Sequence, residues 1–232
     1  GKRSFIGQNL FNYFNKKKVN VKICSFDEVK KKDYNLNKFN FIINSSTNKH
    51  YIGKKYLEKN DHDLAISKKI KHMQNKMIFL SSRKLYKSGY NLKETDKIKP
   101  EDNYSKNKYI SEKKLYEILG ERLIILRISN VIGFTNNQFF GRKVHRTFID
   151  IFIENIKKGI ILKQNKIYKD FISSQKLSEI VYKIILKNLN GGIYNVSLGK
   201  KIFISEIVEW LNYYNNNKVV TFSKLVPRRS EY

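Results

Sequence analysis

The sequence predicts an α/β protein built on a parallel β-sheet that carries helices on both faces. Short, β-rich apolar runs alternate along the chain with longer amphipathic segments whose polar side is mostly lysine. Parallel strands that are buried on both faces have this uniformly apolar character, and helices connect them. Ligands bind at the carboxyl ends of the strands in such sheets, so the polar residues directly after each run are the first candidates for a functional site.

The elements follow from composition and periodicity. Five apolar runs predict strands at residues 19–24, 39–44, 76–82, 123–129 and 192–197. Six periodic segments predict helices at residues 7–17, 60–75, 104–119, 144–158, 174–189 and 204–214. Gly120 follows the helix at 104–119, where a glycine commonly ends a helix. No repeat divides the chain, and the two prolines form no hinge.

The composition excludes several classes of protein. The chain has 232 residues, of which 41% are hydrophobic, enough for a folded core and too many for a disordered protein. The single cysteine, Cys24, excludes a disulfide framework and indicates a reducing compartment. No apolar run approaches the ~20 residues of a membrane span, and no signal peptide is visible. We therefore expect a cytoplasmic protein with no membrane partner.

The net charge of +27 raises the question of nucleic acid. The excess is nearly all lysine spread along the chain, and only eight residues are arginine, the side chain best suited to bidentate phosphate and base contacts. Asn and Ile are also abundant. This combination favours compositional drift toward AT-rich codons over nucleic-acid binding, and a nucleic-acid partner is disfavoured.

The chain opens with a glycine-containing loop, "GKRSFIGQNL". Gly1, Ser4 and Gly7 stand at the three positions of a G-x-x-G-x-x-G loop, and an amphipathic helix follows. Glycines in such a loop let the backbone approach a pyrophosphate at the helix N-terminus. The strand that should precede Gly1 is absent from this chain, and by itself the loop is equally compatible with an ordinary helix start.

A Tyr-x-x-x-Lys pair at Tyr104 and Lys108 is a second candidate motif. The spacing occurs six times in this chain, where chance predicts roughly two or three, so the motif alone carries little information. Context selects one pair. Upstream of Tyr104 a predicted strand ends in Ser81 and Ser82, and downstream another strand is followed by Asn130.

In this order the segments resemble the extended short-chain dehydrogenase/reductase family, the nucleotide-sugar epimerases and reductases. "GKRSFIG" resembles the cofactor loop G-x-x-G-F-I-G of that family, and "FIINSST" resembles its fourth strand. The block from "FLSSRKLY" to "YSKNKYISEK" resembles S-S-x-x-x-Y followed by Y-x-x-x-K-x-x-x-E. "LRISNVIG", "KDFI", "GGIYNVSLG" and "VPRRSEY" are similar to the later motifs, in the order of the family.

The resemblance implies a Rossmann-like, doubly wound parallel sheet with a small C-terminal substrate-binding subdomain and without its first strand. The NAD(P)-binding domain would comprise residues 1–133 and 169–197. Residues 134–168 and 198–232 would form the nucleotide-sugar subdomain. The implied substrate is a nucleoside-diphosphate sugar, the implied cofactor is NAD or NADP, and a homodimer is expected.

The resemblance also implies the catalytic residues Ser82, Tyr104 and Lys108. On a helix Tyr104 and Lys108 lie on one face. A free tyrosine has a pKa near ~10, and a neighbouring ammonium favours the phenolate that acts as a base. In the family the lysine also binds the nicotinamide ribose. Ser82, four residues before Tyr86, would hydrogen-bond the reacting sugar oxygen; its alternative role is to cap a backbone group at the strand end.

The binding residues come from the same match. The expected cofactor-binding residues are Gly1, Ser4, Phe5, Ile6, Gly7, Asp27, Asn44, Ser45, Ser46, Tyr104 and Lys108. The expected substrate-binding residues are Ser82, Arg83, Asn130, Arg229 and Glu231. The four histidines have no metal-ligand spacing, so no metal is expected.

Four positions depart from the family pattern. Ser4 replaces the middle glycine, Lys87 replaces a glycine after Tyr86, and Lys176 replaces an aspartate. Ser25 stands where NAD-specific members carry an acidic residue, with Asp27 two positions further on. These departures leave open both the level of activity and the choice between NAD and NADP.

The residues after Ser82 bear on the reaction. Nucleotide-sugar 4,6-dehydratases carry a carboxylic pair there, and Arg83 and Lys84 cannot supply it. A dehydratase is therefore disfavoured, and 4-epimerisation or 4-keto reduction remains, expected to feed polysaccharide or other glycan synthesis. The alternative is a catalytically impaired family member that binds RNA through its basic surface.

Overall fold

The computed structural model describes residues 1–133 and 168–214. The predicted helix at 144–158 and the predicted site residues Arg229 and Glu231 lie outside these ranges. The helices are α1 (Phe5–Lys16), α2 (Phe26–Lys30), α3 (Lys49–Gly53), α4 (His62–Lys69), α5 (Asn103–Leu119), α6 (Ser174–Leu186) and α7 (Ile204–Tyr214). The strands are β1 (Phe41–Asn44), β2 (Lys76–Ser82), β3 (Leu123–Ile128), β4 (Asn130–Ile132), β5 (Tyr168–Lys169), β6 (Phe171–Ser173), β7 (Gly192–Val196) and β8 (Ile202–Phe203).

The central sheet has the order β1-β2-β3-β7, and all of its strand pairs are parallel. Alternate residues of its middle strands point to opposite faces, as the period of a strand requires. Ile78 and Leu80 belong to a core shared with α1 and α6, whereas Met77 and Phe79 belong to a core shared with α4 and α5. The predicted Rossmann-like, doubly wound architecture is confirmed.

Helix starts are set by short polar side chains. Ser4 caps α1 by accepting a hydrogen bond from the Gly7 backbone N–H at 3.3 Å. Asp102 caps α5 in the same way, accepting from Ser105 N–H at 2.7 Å. Each such cap satisfies one of the N–H groups that a helix leaves unbonded at its start. These caps fix where α1 and α5 begin, directly beside the carboxyl edge of the sheet.

The predicted strand at residues 19–24 is wrong, because it forms no ladder with any described residue. Val19 and Val21 do pack against the core, so the burial inferred from their apolar character holds. A strand also requires a hydrogen-bonded neighbour. Among the described strands β1 pairs with β2, and a cavity of about 1080 Å³ is lined both by β1 and by residues 19–24.

The predicted helix at 60–75 is too long, since α4 ends at Lys69. The next carbonyl groups turn toward the guanidinium of Arg122, which donates to Ile70 O at 3.2 Å, to Lys71 O at 2.7 Å and to Met73 O. These carbonyl oxygens would accept backbone N–H hydrogen bonds if the helix continued. A charged donor shared among them satisfies them instead. Arg122 therefore replaces the last helical turn.

Two small strand pairs lie beside the main sheet: β4 with β6, and β5 with β8. Asp170, between β5 and β6, is 2% exposed. Its carboxylate accepts hydrogen bonds from the backbone N–H groups of Leu198, Gly199 and Lys200 at 3.0, 2.8 and 3.2 Å. This contact ties the segment that follows β7 to the short strands. No helix in the described ranges is long and apolar enough to cross a membrane.

Candidate active site

A small cavity of about 170 Å³ opens at the carboxyl edge of the sheet. Its lining includes residues from the ends of β1, β2 and β3, from α4 and from α5. Among the predicted site residues, it brings together Ile6, Asn44, Ser45, Ser82, Tyr104 and Lys108. In a parallel sheet these strand ends meet at one edge, which is where ligands bind. Of the Tyr-x-x-x-Lys pairs that lie wholly within residues 1–133 and 168–214, Tyr104 and Lys108 are the pair that lines it.

The two serines at the end of β2 have different partners. Ser81 donates to Glu112 Oε1 at 2.5 Å, which commits its hydroxyl hydrogen to the protein. Ser82 accepts a hydrogen bond from Lys84 N–H at 3.2 Å, so the capping role considered for it is real. A hydroxyl that accepts still has its own hydrogen to donate. Ser82 can therefore cap the turn and also donate a hydrogen bond into the cavity.

Lys108 is a buried cation, 4% exposed. Its Nζ lies 4.4 Å from the centre of the Phe79 ring and 5.6 Å from that of Tyr51, so aromatic faces partly replace its hydration. The nearest opposite charge is the Asp63 carboxylate, with Nζ and Oδ2 separated by 3.8 Å. That distance is longer than a hydrogen bond. The ammonium hydrogens thus remain available to a ligand in the cavity.

Asp63 lies on α4 and its side chain is buried. Its Oδ1 accepts from Asn44 Nδ2 at 2.9 Å, while the Asn44 side-chain oxygen accepts from the Ser46 hydroxyl at 2.7 Å. Burial raises the pKa of Asp63 to about 6, although the Lys108 ammonium opposes the shift. The polar floor of the cavity is therefore a connected network that contains one carboxyl of unusually high pKa.

A second buried network holds α5 against the sheet. Arg127 on β3 donates to Glu112 through Nε at 3.1 Å and through Nη2 at 2.7 Å. Its Nη1 also donates to the Tyr86 hydroxyl at 2.7 Å, and Tyr86 donates to Asn195 Oδ1 at 2.9 Å. Glu112 lies one helical turn beyond Lys108. These contacts connect β3, α5, β7 and the loop that carries Tyr86, and they fix the position of the helix that carries Tyr104 and Lys108.

The N-terminal loop packs closely on the residue that follows β1. A Cβ atom at Gly1 would lie 2.4 Å from Ser45 Oγ. At Gly7 a Cβ would lie 2.4 Å from the same oxygen and 2.6 Å from the Gly1 carbonyl oxygen. Such distances are too short for any side chain, so only glycine fits. The loop thereby brings backbone and the N-terminus of α1 close to the carboxyl edge of the sheet.

Other predicted residues lie around this centre. Asp27 is exposed on α2, and its charge acts on His62, whose ring stacks on Phe26 at 3.7 Å. Asn130 begins β4 and donates to Asp170 O at 2.9 Å. Arg83 is 8% exposed in the turn after Ser82, and Phe5 is 7% exposed at the start of α1. None of these four side chains lines the smaller cavity.

Four polar residues of the cavity were not among the predicted site residues: Thr47, Asp63, Ser81 and Ser129. Asp63 precedes Leu64 and Ile66 and lies with them on the buried side of α4. Ser129, at the end of β3, is buried, and its hydroxyl has no hydrogen-bond partner among the described residues. A carboxylate on the apolar side of a helix was the available signal for Asp63. A hydroxyl side chain directly after a strand, as at Ser129, is too common in sequences to indicate a functional residue.

Comparison with solved structures gives independent support for the fold. The chain superposes on the UDP-glucose 4-epimerase of Thermotoga maritima with UDP-glucose at a TM-score of 0.76, 15% identity, and coverage of 100% of this chain and 87% of that chain. The dTDP-4-dehydrorhamnose reductase of Clostridium acetobutylicum superposes at a TM-score of 0.73 and 16% identity, with coverage of 96% of this chain and 81% of that chain. The Bordetella bronchiseptica enzyme WbmG in complex with NAD and UDP superposes at a TM-score of 0.70 and 15% identity, with coverage of 100% of this chain and 81% of that chain.

Sequence comparison gives the family. No curated protein shows significant sequence similarity to the chain. The sequence model of the NAD dependent epimerase/dehydratase family matches residues 60–197, more than half of the chain. The matched range includes β2, α5 and β3, and therefore Ser82, Tyr104 and Lys108. The chain belongs to the NAD-dependent epimerase/dehydratase family.

Proposed function

We propose that this protein is an NAD-dependent nucleotide-sugar 4-epimerase or 4-keto reductase, with Tyr104 as the acid/base. The observation that carries the proposal is the convergence of Ser82, Tyr104 and Lys108 on one cavity at the carboxyl edge of the sheet. The solved structures that resemble the chain include a UDP-sugar 4-epimerase and a dTDP-sugar reductase, which supports these two reaction types.

The residues of the site fit NAD, the cofactor of the family. The glycines at positions 1 and 7 leave the close approach that a pyrophosphate needs, at the N-terminus of a 12-residue helix. The unbonded hydroxyl of Ser129 and the hydrogens of Lys108 are polar groups that a ligand can satisfy. When bound, NAD would supply reversible hydride transfer at the sugar carbon.

The side chains would handle the proton. The Tyr104 phenolate accepts the hydroxyl proton of the sugar during oxidation and returns it during reduction. Ser82 donates a hydrogen bond to the same sugar oxygen, since its hydrogen is free of the protein. Lys108, one helical turn away from Tyr104, would bind the ribose hydroxyls of the cofactor. The proposed reactions neither remove nor add water, so no residue has to catalyse such a step.

The charges around the cavity support this choice over dehydration. Elimination of water needs a carboxylic acid and base positioned at neighbouring sugar carbons. Arg83 and Lys84 follow Ser82, and Lys84 pairs with Asp102 at 3.5 Å. Among the described residues that line the cavity, Asp63 is the one carboxyl, and it is paired with Lys108.

The wider proposal concerns setting and assembly. We assign residues 134–168 and 198–232 to binding of the nucleotide sugar and the remaining residues to NAD. The product would enter polysaccharide or other glycan synthesis in the cytoplasm, where a single unpaired cysteine such as Cys24 remains reduced. A homodimer is part of the proposal, and sedimentation of the purified protein tests it.

A product assay tests the proposed reaction. The protein is incubated with UDP- and dTDP-hexoses and NAD, or with 4-keto sugars and NADH, and the products are identified by NMR and mass spectrometry. We expect a C4 epimer at unchanged mass, or a reduced sugar formed with oxidation of NADH. A product lighter by one water would overturn the proposal in favour of a dehydratase.

Gly7→Ala tests the cofactor loop. Because its Cβ would collide with Ser45 Oγ and the Gly1 carbonyl oxygen, the loop must move, and affinity for NADH is expected to fall about tenfold or more. The measurement is titration of NADH fluorescence. Gly53→Ala is the matched control, since a Cβ there has no neighbour within 4 Å. Equal NADH affinity in both variants would show that the loop does not hold the cofactor.

A further inference from the structure

Asp63 has no role in the proposed reaction, yet it is the acidic group nearest to Lys108. The Lys108 side chain is 5% exposed and the Asp63 side chain is 8% exposed, and 3.8 Å separates Lys108 Nζ from Asp63 Oδ2. Both residues line the small cavity together with Ser82 and Tyr104. A buried ammonium without a counter-charge is costly, and the ring faces of Phe79 and Tyr51 compensate only part of that cost.

The geometry distinguishes an ion pair from a hydrogen bond. Asp63 is held in place by Asn44 Nδ2, which donates to its other oxygen, Oδ1, at 2.9 Å. The carboxylate therefore attracts Lys108 from a fixed point without accepting its hydrogens, since 3.8 Å exceeds hydrogen-bond length. Lys108 is stabilised as a cation in the cavity while its hydrogens stay free for ribose hydroxyls.

We infer that Asp63 is a positioning residue that holds the Lys108 ammonium ready for the cofactor. This inference rests on the proposed function. Asp63→Asn preserves the acceptor for Asn44 and removes only the charge, so Lys108 loses its counter-ion and its fixed position. Affinity for NADH is then expected to fall roughly fivefold at pH 8, as for other coupled buried pairs.

The pairing also predicts a dependence on pH. The side chains whose charges act on Asp63 are Lys108 on α5 and Asp61 at the start of α4, and His62 on α4 is the adjacent titratable side chain. The pKa of Asp63 is raised by burial to about 6, so its carboxylate and the ion pair persist above that pH and are lost below it. The affinity of the unsubstituted protein for NADH should therefore decrease as pH falls from 8 to 5. The affinity of the Asp63→Asn variant should be low at both pH values and nearly independent of pH.

The matched control is Glu58→Gln. Glu58 pairs with Lys68 on α4 and Lys114 on α5, both at 2.8 Å, so it links the same two helices at an exposed position outside the cavity. This variant should keep the affinity and the pH profile of the unsubstituted protein. Asp63→Glu, which keeps the charge, should recover part of the affinity lost in Asp63→Asn.

A measurement without cofactor separates this inference from the proposed function. Thermal unfolding of Asp63→Asn, Lys108→Met and the double variant at pH 8 should give Tm changes that do not add, and the non-additivity should disappear at pH 5. Additive changes at pH 8, or an Asp63→Asn variant with unaltered NADH affinity and pH profile, would overturn the role of Asp63 alone. Failure of the unsubstituted protein to bind NADH at any pH would overturn the proposed function and, with it, the positioning role.

Discussion

Replacement of Tyr104 by phenylalanine is expected to lower kcat for the nucleotide-sugar reaction by roughly 10²–10⁴-fold, the usual contribution of a positioned acid/base. Phenylalanine keeps the ring and removes only the hydroxyl that exchanges the proton. Affinity for NADH should change little, because Lys108 and the N-terminal loop carry the proposed cofactor contacts. Steady-state kinetics together with NADH titration measure both quantities on the same preparation.

The chain provides its own control for this experiment. Tyr109 and Lys113 repeat the four-residue spacing on the same helix, and the Lys113 ammonium lies 4.4 Å from the centre of the Tyr109 ring. Neither residue lines the cavity, and Lys113 is exposed. Tyr109→Phe should retain nearly full kcat. An equal loss of kcat in both tyrosine variants would contradict the assignment of Tyr104.

The second large effect is expected at Glu112. Substitution by glutamine leaves the buried Arg127 guanidinium without its counter-charge, since the two groups are 4% and 5% exposed. Breaking a buried ion pair by removing one partner typically lowers the free energy of unfolding by about 3–5 kcal/mol. For a protein of this size that corresponds to a fall in Tm of roughly 6–20 °C, measured by calorimetry or circular dichroism.

A solvated carboxylate provides the contrast. Glu179 pairs with Lys176 and Lys183 on the surface of α6, and these two bonds lower its pKa to about 2. Because water screens such pairs, Glu179→Gln should leave Tm almost unchanged near neutral pH. A fall in Tm at Glu112 no larger than at Glu179 would contradict the structural role of the Glu112–Arg127 pair.

Much of the sheet could be predicted from the sequence, because its strands are buried on both faces. The run at 76–82 was predicted with the bounds that β2 has, and α7 likewise matches the predicted segment 204–214. Local composition decides these elements. The segment 19–24 has the same composition and still forms no strand, since pairing depends on a neighbour that composition does not reveal.

The end of α4 shows a second limit of sequence reasoning. Residues 70–75 continue the helical pattern, but Arg122, far along the chain, binds their carbonyl groups. A contact between distant residues therefore overrides local periodicity.

The candidate site divides along similar lines. Ser82, Tyr104 and Lys108 could be selected because the order of the motifs is legible in the sequence. Asp63 could not, because its significance arises from a 3.8 Å approach to Lys108 that only the packing of α4 against α5 creates. The sequence indicates which residues are proposed to carry the chemistry, whereas folding determines which charges surround them.

Transfer of deuterium from the sugar to the cofactor tests the central claim most directly. The protein is mixed in a single turnover with NAD and a UDP- or dTDP-hexose that carries deuterium at C4, and the nucleotide is recovered for mass spectrometry. The sugar nucleotide is recovered in the same way. With the unsubstituted protein we predict deuterium on the nicotinamide of the reduced cofactor where a 4-keto sugar is released, and deuterium at C4 of the epimeric sugar where the cofactor returns the hydride. Tyr104→Phe should form little of either labelled product. Loss of the deuterium to solvent, or failure of every C4-labelled hexose to give either product with the unsubstituted protein, would contradict the account.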